Sequence, residues 1–276
     1  MKNIFLFVLL SSTSSMVFGQ QTDQQRNNLK KNNVAVYTGS VITLKNGQLR
    51  TDECSNERTL LDDEGRATKQ IITNVNDKWG TLFEYHYNKC NKIDSINEFQ
   101  IIQGKRLVKQ HNISVFDDSC RLIKTFSTDS SNKAVWAQTA IEYDETGKRI
   151  KETQSEGDKI KIIVKFTYAD SCVERNASFA NGDFLYHKKE FFDDKGNITK
   201  LVTFDANGKA SEEVIRYDYD NDNIISERHY DNDGKLVYSI TNEYDRDNLL
   251  RQSITTRVDN PEPYETILTR SYRKAE

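Results

Sequence analysis

Tyr219-Asp-Asn-Asp-Asn223, Tyr230-Asp-Asn-Asp-Gly234 and Tyr244-Asp-Arg-Asp-Asn248 repeat one phrase: an aromatic residue, Asp, two polar residues, then Gly or Asn. The phrase recurs upstream as Tyr143-Asp-Glu-Thr-Gly147, Phe192-Asp-Asp-Lys-Gly196 and Phe204-Asp-Ala-Asn-Gly208. Aromatic-Asp dipeptides occur eight times, where 28 aromatics and 24 Asp in 276 residues predict about 2.4 by chance. A repeat of this kind decides architecture before any other reading. It leaves the ligand open.

The phrase reads as the end of a strand followed by a turn. In Lys159–Tyr168, Ile160, Ile162, Val164, Phe166 and Tyr168 share one face, and Lys159, Lys161, Lys165 and Thr167 share the other, with Ile163 the exception. Lys235–Tyr244 repeats the pattern, with Leu236, Tyr238, Ile240 and Tyr244 on one face. Period-two alternation is the mark of a strand. Asn-Asp-Gly and Asp-Lys-Gly-Asn supply the positive φ of tight hairpins, and the Asp can bond the turn backbone. The anchors Phe192, Phe204, Tyr219, Tyr230 and Tyr244 stand 12, 15, 11 and 14 residues apart. Upstream the spacing doubles, and Gln103-Gly104, Asp129–Asn132, Glu156–Asp158 and Asn181–Asp183 mark the intervening turns. One strand and turn therefore takes about 12 to 13 residues, the rhythm of an all-β array. About 18 strands fit at that rhythm. The expected fold is all-β, a long antiparallel meander whose open sheet twists into a spiral or half-barrel.

Met1-Lys-Asn, the apolar run Ile4–Leu10 and Val17-Phe-Gly19 have the form of a secretory signal peptide over 1–19, cleaved after Gly19. The apolar run is shorter than the roughly 20 residues of a membrane span. No Cys sits at the cleavage point, which argues against lipid anchoring. Residues 20–33 read as a flexible polar lead-in, and 34–276 as a single β-repeat domain. The protein is expected to be exported, and to be periplasmic, surface-associated or secreted. Its formal charge of −3 becomes −4 once Lys2 is removed. That balance gives no electrostatic case for nucleic acid, and no segment calls for membrane insertion.

The Tyr-Asp-x-x-Gly phrases resemble the YD repeats of RHS-type proteins, most clearly over 143–248. The resemblance implies a spiralling β-sheet. It does not carry over the shell or toxin of the large members, which this chain is too short to build. Variant MORN-type repeats, with short strand pairs and Asp-Gly turns, are the second resemblance.

Cys54, Cys90, Cys120 and Cys172 are an even set in an exported chain, which predicts two disulfides and four oxidised cysteines, with three pairings open. Cys90 and Cys120 are nearest on the repeat count. Adjacent turns lie about 9.6 Å apart in a flat sheet, so that bond requires them to lean together. The cysteines lack the spacing and the His partners of a zinc site. Asp218–Asn223 starts like a calcium loop, but Asn223 and His229 stand where Gly and Glu belong. His86, His111, His187 and His229 join no nucleophile-and-base pattern. No catalytic, cofactor or metal residue is therefore assigned. The expected function is an exported non-enzymatic binding or structural surface at the bacterial envelope, with an unknown protein or glycan partner. The alternative is a carbohydrate-binding module using an aromatic sheet face.

Overall fold

A computed structural model describes residues 22–76, 78–129, 135–231, 233–258 and 264–275. The signal segment and the Asp129–Asn132 turn lie wholly or mostly outside them. A helix, α1 (Asp23–Lys31), precedes the strands. These are β1 (Val34–Lys45), β2 (Gln48–Leu49), β3 (Ser55–Leu61), β4 (Ala67–Asn74), β5 (Trp79–Tyr87), β6 (Ile93–Ile102), β7 (Lys105–Phe116), β8 (Leu122–Asp129), β9 (Val135–Tyr143) and β10 (Arg149–Glu156). They continue as β11 (Lys159–Ala169), β12 (Cys172–Phe179), β13 (Phe184–Phe192), β14 (Ile198–Phe204), β15 (Ala210–Asp220), β16 (Asn223–Tyr230), β17 (Leu236–Tyr244), β18 (Leu250–Arg257) and β19 (Tyr264–Lys274).

Each strand from β3 onward pairs antiparallel with the next, as the rhythm predicts. The sheet is not open, however. β19 returns to β1 in register from Val34↔Lys274 to Lys45↔Tyr264, and β1 pairs on its other side with β3. The two-residue β2 only folds back on β1, so 18 of the 19 strands close an antiparallel barrel. The expected open sheet, spiral or half-barrel is thereby corrected. Strand twist curls so long a meander, and closure removes the two unpaired edges an open sheet would expose.

The repeated phrase builds one kind of turn. At Asp62, Asn88, Asp117, Asp144, Asp193, Asp205, Asp231 and Asp245 the side-chain oxygen accepts from the amides two and four residues on. The fourth residue has positive φ, and is Gly65, Asn91, Cys120, Gly147, Gly196, Gly208, Gly234 or Asn248. One phrase departs: Asn221 and Asp222 both have positive φ and close a two-residue hairpin.

Six tyrosines give the aromatic position its reason. Tyr87, Tyr143, Tyr168, Tyr219, Tyr244 and Tyr272 end strands at one rim. Their hydroxyls donate to the carbonyls of Ala67, Leu122, Arg149, Ile198, Ile224 and Leu250, each at the start of the preceding strand. Each tyrosine thus laces its hairpin to the one before. Phe116 and Phe192 stand at equivalent positions without a hydroxyl. Tyr143→Phe is expected to cost about 1 kcal/mol for the lost hydrogen bond, and Tyr143→Ala roughly 3. Equal melting temperatures for both variants and wild type would refute the lacing.

Within the segment read as a polar lead-in, Asp23–Lys31 is helical. Thr22 and Gln25 form a reciprocal capping box, with Asp23 in the first turn and Lys30 and Lys31 in the last. The helix lies across the rim where β19 meets β1. Gln24, Asn28 and Asn32 donate to turn carbonyls of Asn221, Asn248 and Asp247, while Arg26 donates to that of Asn91. Leu29 is its one buried side chain, packed with Val34, Tyr37 and Leu249. Gly65 is required here twice over: φ is +70°, and a Cβ would lie 2.6 Å from the Arg26 carbonyl oxygen.

Register separates the two faces of the wall. Tyr37, Glu57, Thr59, Gln70, Tyr85, Glu98, Glu152, Val164, Ala177, Glu190, Leu201, Ile215 and His229 fall on one face, and each is less than a tenth exposed. The fully buried polar and charged groups Glu57, Thr59, Gln70, Glu152 and Glu190 all fall on this face, which is therefore read as the interior; on the alternate face Leu82, Phe99 and Val202 are also little exposed, Phe99 beneath the Arg106 guanidinium. The alternate residues form the outer wall.

Candidate functional site

The interior at the closing seam is polar. Glu57 on β3 and Arg270 on β19 are not on neighbouring strands; they meet across Gly39 of β1. Arg270 Nη2 lies 3.3 Å from Glu57 Oε2. A Cβ on Gly39 would sit 3.2 Å from that oxygen and 3.3 Å from Leu268, so the glycine makes room for the pair. Glu57 Oε1 also accepts from Gln70 Nε2 at 2.7 Å, and the Tyr85 hydroxyl donates to Gln70 Oε1 at 2.9 Å. The Arg270 guanidinium lies 4.8 Å over the Tyr37 ring. Burial opposes its charge, but Glu57, Tyr37 and Tyr272 outweigh that and hold the guanidinium above its ordinary pKa. The network ties β5, β4, β3 and β19 together where the barrel closes.

A second buried group lies farther round the wall. Arg175 meets Glu190 at 2.8 Å, Arg149 meets Glu152 at 2.5 Å, and both cations flank Phe166. Opposite charges paired inside a wall are costly to break, and they bring no nucleophile to a base.

The sequence candidates are dispersed. Cys90 and Cys120 form a disulfide, Cα to Cα 5.9 Å, between adjacent turns that do lean together. Cys54 and Cys172 are free, at opposite ends of the wall, so the expected second disulfide is absent. Alkylation of the unfolded protein without reductant is expected to label these two cysteines and spare the other pair. Labelling of none would reinstate two disulfides. Reduction should remove about 3 to 4 kcal/mol, the loop-closure value for a 30-residue separation. His86 and His111 bond opposite ends of Asn97 on the outer wall. His187 lies beside Glu174, and buried His229 beside Glu227 with its ring stacked on Tyr238. No cluster of three or more His, Cys, Asp or Glu able to hold a metal occurs among the described residues.

The outer wall carries a concavity of about 580 Å³ over the seam. Ser271, Thr38, Arg58 and Ile71 form one cross-strand row along it, and Thr269, Ser40, Asn56 and Thr73 form the other. Short polar side chains on four neighbouring strands leave this depression. It holds no aromatic ring.

Charged pairs are spread over the rest of that wall, among apolar residues such as Leu82, Ile113 and Val202. Lys69 faces Glu84, Lys151 faces Glu142, and Glu174 faces Lys189 across adjacent strands. The separations are 3.6, 2.8 and 2.7 Å. Arg106 bonds Glu84 at 2.8 Å while covering the Phe99 ring. Arg58, Lys124, Lys165, Lys200, Arg216, Arg228 and Glu243 occupy the same outer face by register.

No protein-family model matches the chain, and no curated relative is found by sequence. Among solved structures it is similar to a porin-like protein from Bacteroides uniformis, with 11% identity, TM-score 0.43, and 88% of this chain and 97% of that one covered. A DUF1329 family protein from Desulfovibrio piger gives 9% identity, TM-score 0.31 and coverages of 90% and 89%. A putative outer membrane lipoprotein-sorting protein domain from Vibrio parahaemolyticus gives 11%, 0.31, and 91% and 92%. The RHS/YD-repeat and MORN-type expectations are corrected: the Asp turns are real, but they join strands of a closed barrel, and neither family matches.

Proposed function

We propose that the protein is an exported, water-facing β-barrel that serves as a non-enzymatic binding or structural surface at a bacterial envelope. The observation that carries this reading is the charged outer wall. A barrel that spans a membrane turns a continuous apolar band about 25 Å tall toward lipid, and each Lys or Arg at its midplane costs about 2 to 4 kcal/mol. Here Lys69, Lys151, Lys165, Lys189 and Arg216 project outward from within their strands, among outward apolar residues such as Leu82, Phe99 and Val202. Charges at mid-strand on so many strands interrupt the continuous apolar band that a lipid-facing wall needs. No helix among the described residues is long and apolar enough to cross a membrane either.

Export is supported by the sequence of residues 1–19 and by the Cys90–Cys120 disulfide, which suits an oxidising compartment. The partner is a protein or glycan. The rim tyrosines are engaged in lacing hairpins, which speaks against an aromatic platform there. The test is phase partition. The protein extracted by osmotic shock or recovered from the medium should remain in the aqueous phase of a detergent-phase separation. Recovery only with detergent, with a folded band that shifts on boiling, would overturn the reading.

A further inference from the structure

We infer that the outer face of β14–β16 binds a polyanionic glycan through a row of three cations. Lys200 lies directly opposite Arg216, and Arg216 directly opposite Arg228, in one cross-strand row. Like charges set opposite each other destabilise a sheet. Elsewhere the wall avoids this: Lys69–Glu84, Lys151–Glu142 and Glu174–Lys189 match opposite signs. Lys151 also faces Lys165, but Glu142 compensates it. In the β14–β16 row only Arg228 has a carboxylate, Asp218 at 2.5 Å. Among the described residues Lys200 and Arg216 meet no carboxylate.

Both instead lie beside aromatic rings. Lys200 Nζ is 5.6 Å from the Phe191 ring and the Arg216 guanidinium is 5.2 Å from that of Tyr230. Phe191 opposes Lys200 in the same row. The result is a flat strip about 14 Å across four strands at ordinary strand spacing. Two uncompensated charges pair with carboxylate or sulfate groups, and the Phe191 and Tyr230 rings that flank them offer apolar surface to the carbon face of a sugar. Arg adds a planar fork suited to such oxyanions. Two other anionic partners fit less well. A peptide has no strand edge to extend, because the barrel is closed. A lipid surface calls for apolar side chains that insert, and this wall presents charge.

The inference rests on the outer wall being exposed to water, which phase partition tests separately. The binding test uses dextran sulfate, neutral dextran and phosphatidylglycerol vesicles, with purified protein. Dextran sulfate should bind, more weakly as salt rises, and neutral dextran should not. Arg216→Ser should weaken that binding at least tenfold while leaving the melting temperature equal to or above wild type, because a like-charge contact is relieved. Lys165→Ser, at an exposed lysine whose cross-strand neighbour Lys151 is compensated by Glu142, should bind as wild type. Wild-type affinity in Arg216→Ser overturns the site, and so does an equal loss in Lys165→Ser. Binding to the vesicles without binding to dextran sulfate overturns it in favour of a membrane surface. A protein that partitions into water yet ignores dextran sulfate refutes this site and leaves the broader reading standing.

Discussion

Arg270→Met is expected to remove about 3 to 5 kcal/mol of folding stability, toward the lower figure because the arginine side chain is a fifth exposed. The loss comes from the partner left behind. Glu57 is 3% exposed, and its remaining donors, Gln70 and Thr59, are neutral. A carboxylate stranded in such a place costs several kcal/mol. In a chain of this size that amounts to a fall in melting temperature of roughly 6 °C. The double variant Glu57→Leu/Arg270→Met should recover much of the loss, since an apolar pair of similar volume often replaces a buried ion pair at little cost. Gly39→Val should resemble the single variant, because its side chain would occupy the space in which the pair meets. Thermal melting of the four proteins checks this. A single variant that melts with wild type would show that closure does not depend on the pair.

The seam also marks where sequence reading stops. Strand and turn were legible because each Asp turn is local: Asp144 reaches amides only two and four residues away. So was the strand number, since the rhythm counts turns. Closure was not legible. It pairs Val34 with Lys274, and nothing in either segment names the other. The interior was equally hidden along Ser55-Asn-Glu-Arg-Thr59, which is polar throughout, so no alternation shows that Glu57 faces in and Arg58 out. A repeat motif states how neighbours join. The same turns serve a spiral or a barrel, and only the pairing of the ends separates them. Cys90 and Cys120 were legible as neighbours by count, whereas the separation of Cys54 from Cys172 follows from which end of the wall each strand begins. The β14–β16 cations are 12 to 16 residues apart in the chain and meet only through register, so no local pattern announces them.

Raising the pH from 10 to 12 is expected to unfold the barrel cooperatively. Burial pushes the phenols of Tyr87 and Tyr244 up to about 12. Burial likewise raises Tyr37, Tyr85, Tyr219 and Tyr272. An unfolded tyrosine ionises near 10. Above that pH the unfolded chain gives up phenolic protons that the barrel retains, so the stability is whole below pH 10 and falls as pH climbs toward the folded values. One pKa unit corresponds to about 1.4 kcal/mol. Even halved for rings that are partly exposed, the shifts of Tyr87 and Tyr244 alone withdraw roughly 2 kcal/mol by pH 12, and the other four act in the same direction. Tyrosinate absorbance and far-ultraviolet circular dichroism should therefore change together, in one steep step. Tyr272→Phe gives the sharper check, because its two effects have opposite sign. The variant loses the hydroxyl bond to the Leu250 carbonyl and should be about 1 kcal/mol less stable at pH 7. It also loses one of the ionisations that drive alkaline unfolding, so its stability should decline less steeply with pH and the two curves should converge above pH 10. Smooth ionisation centred near pH 10 with the β spectrum intact would mean that the rim rings are open to water and do not lace the hairpins.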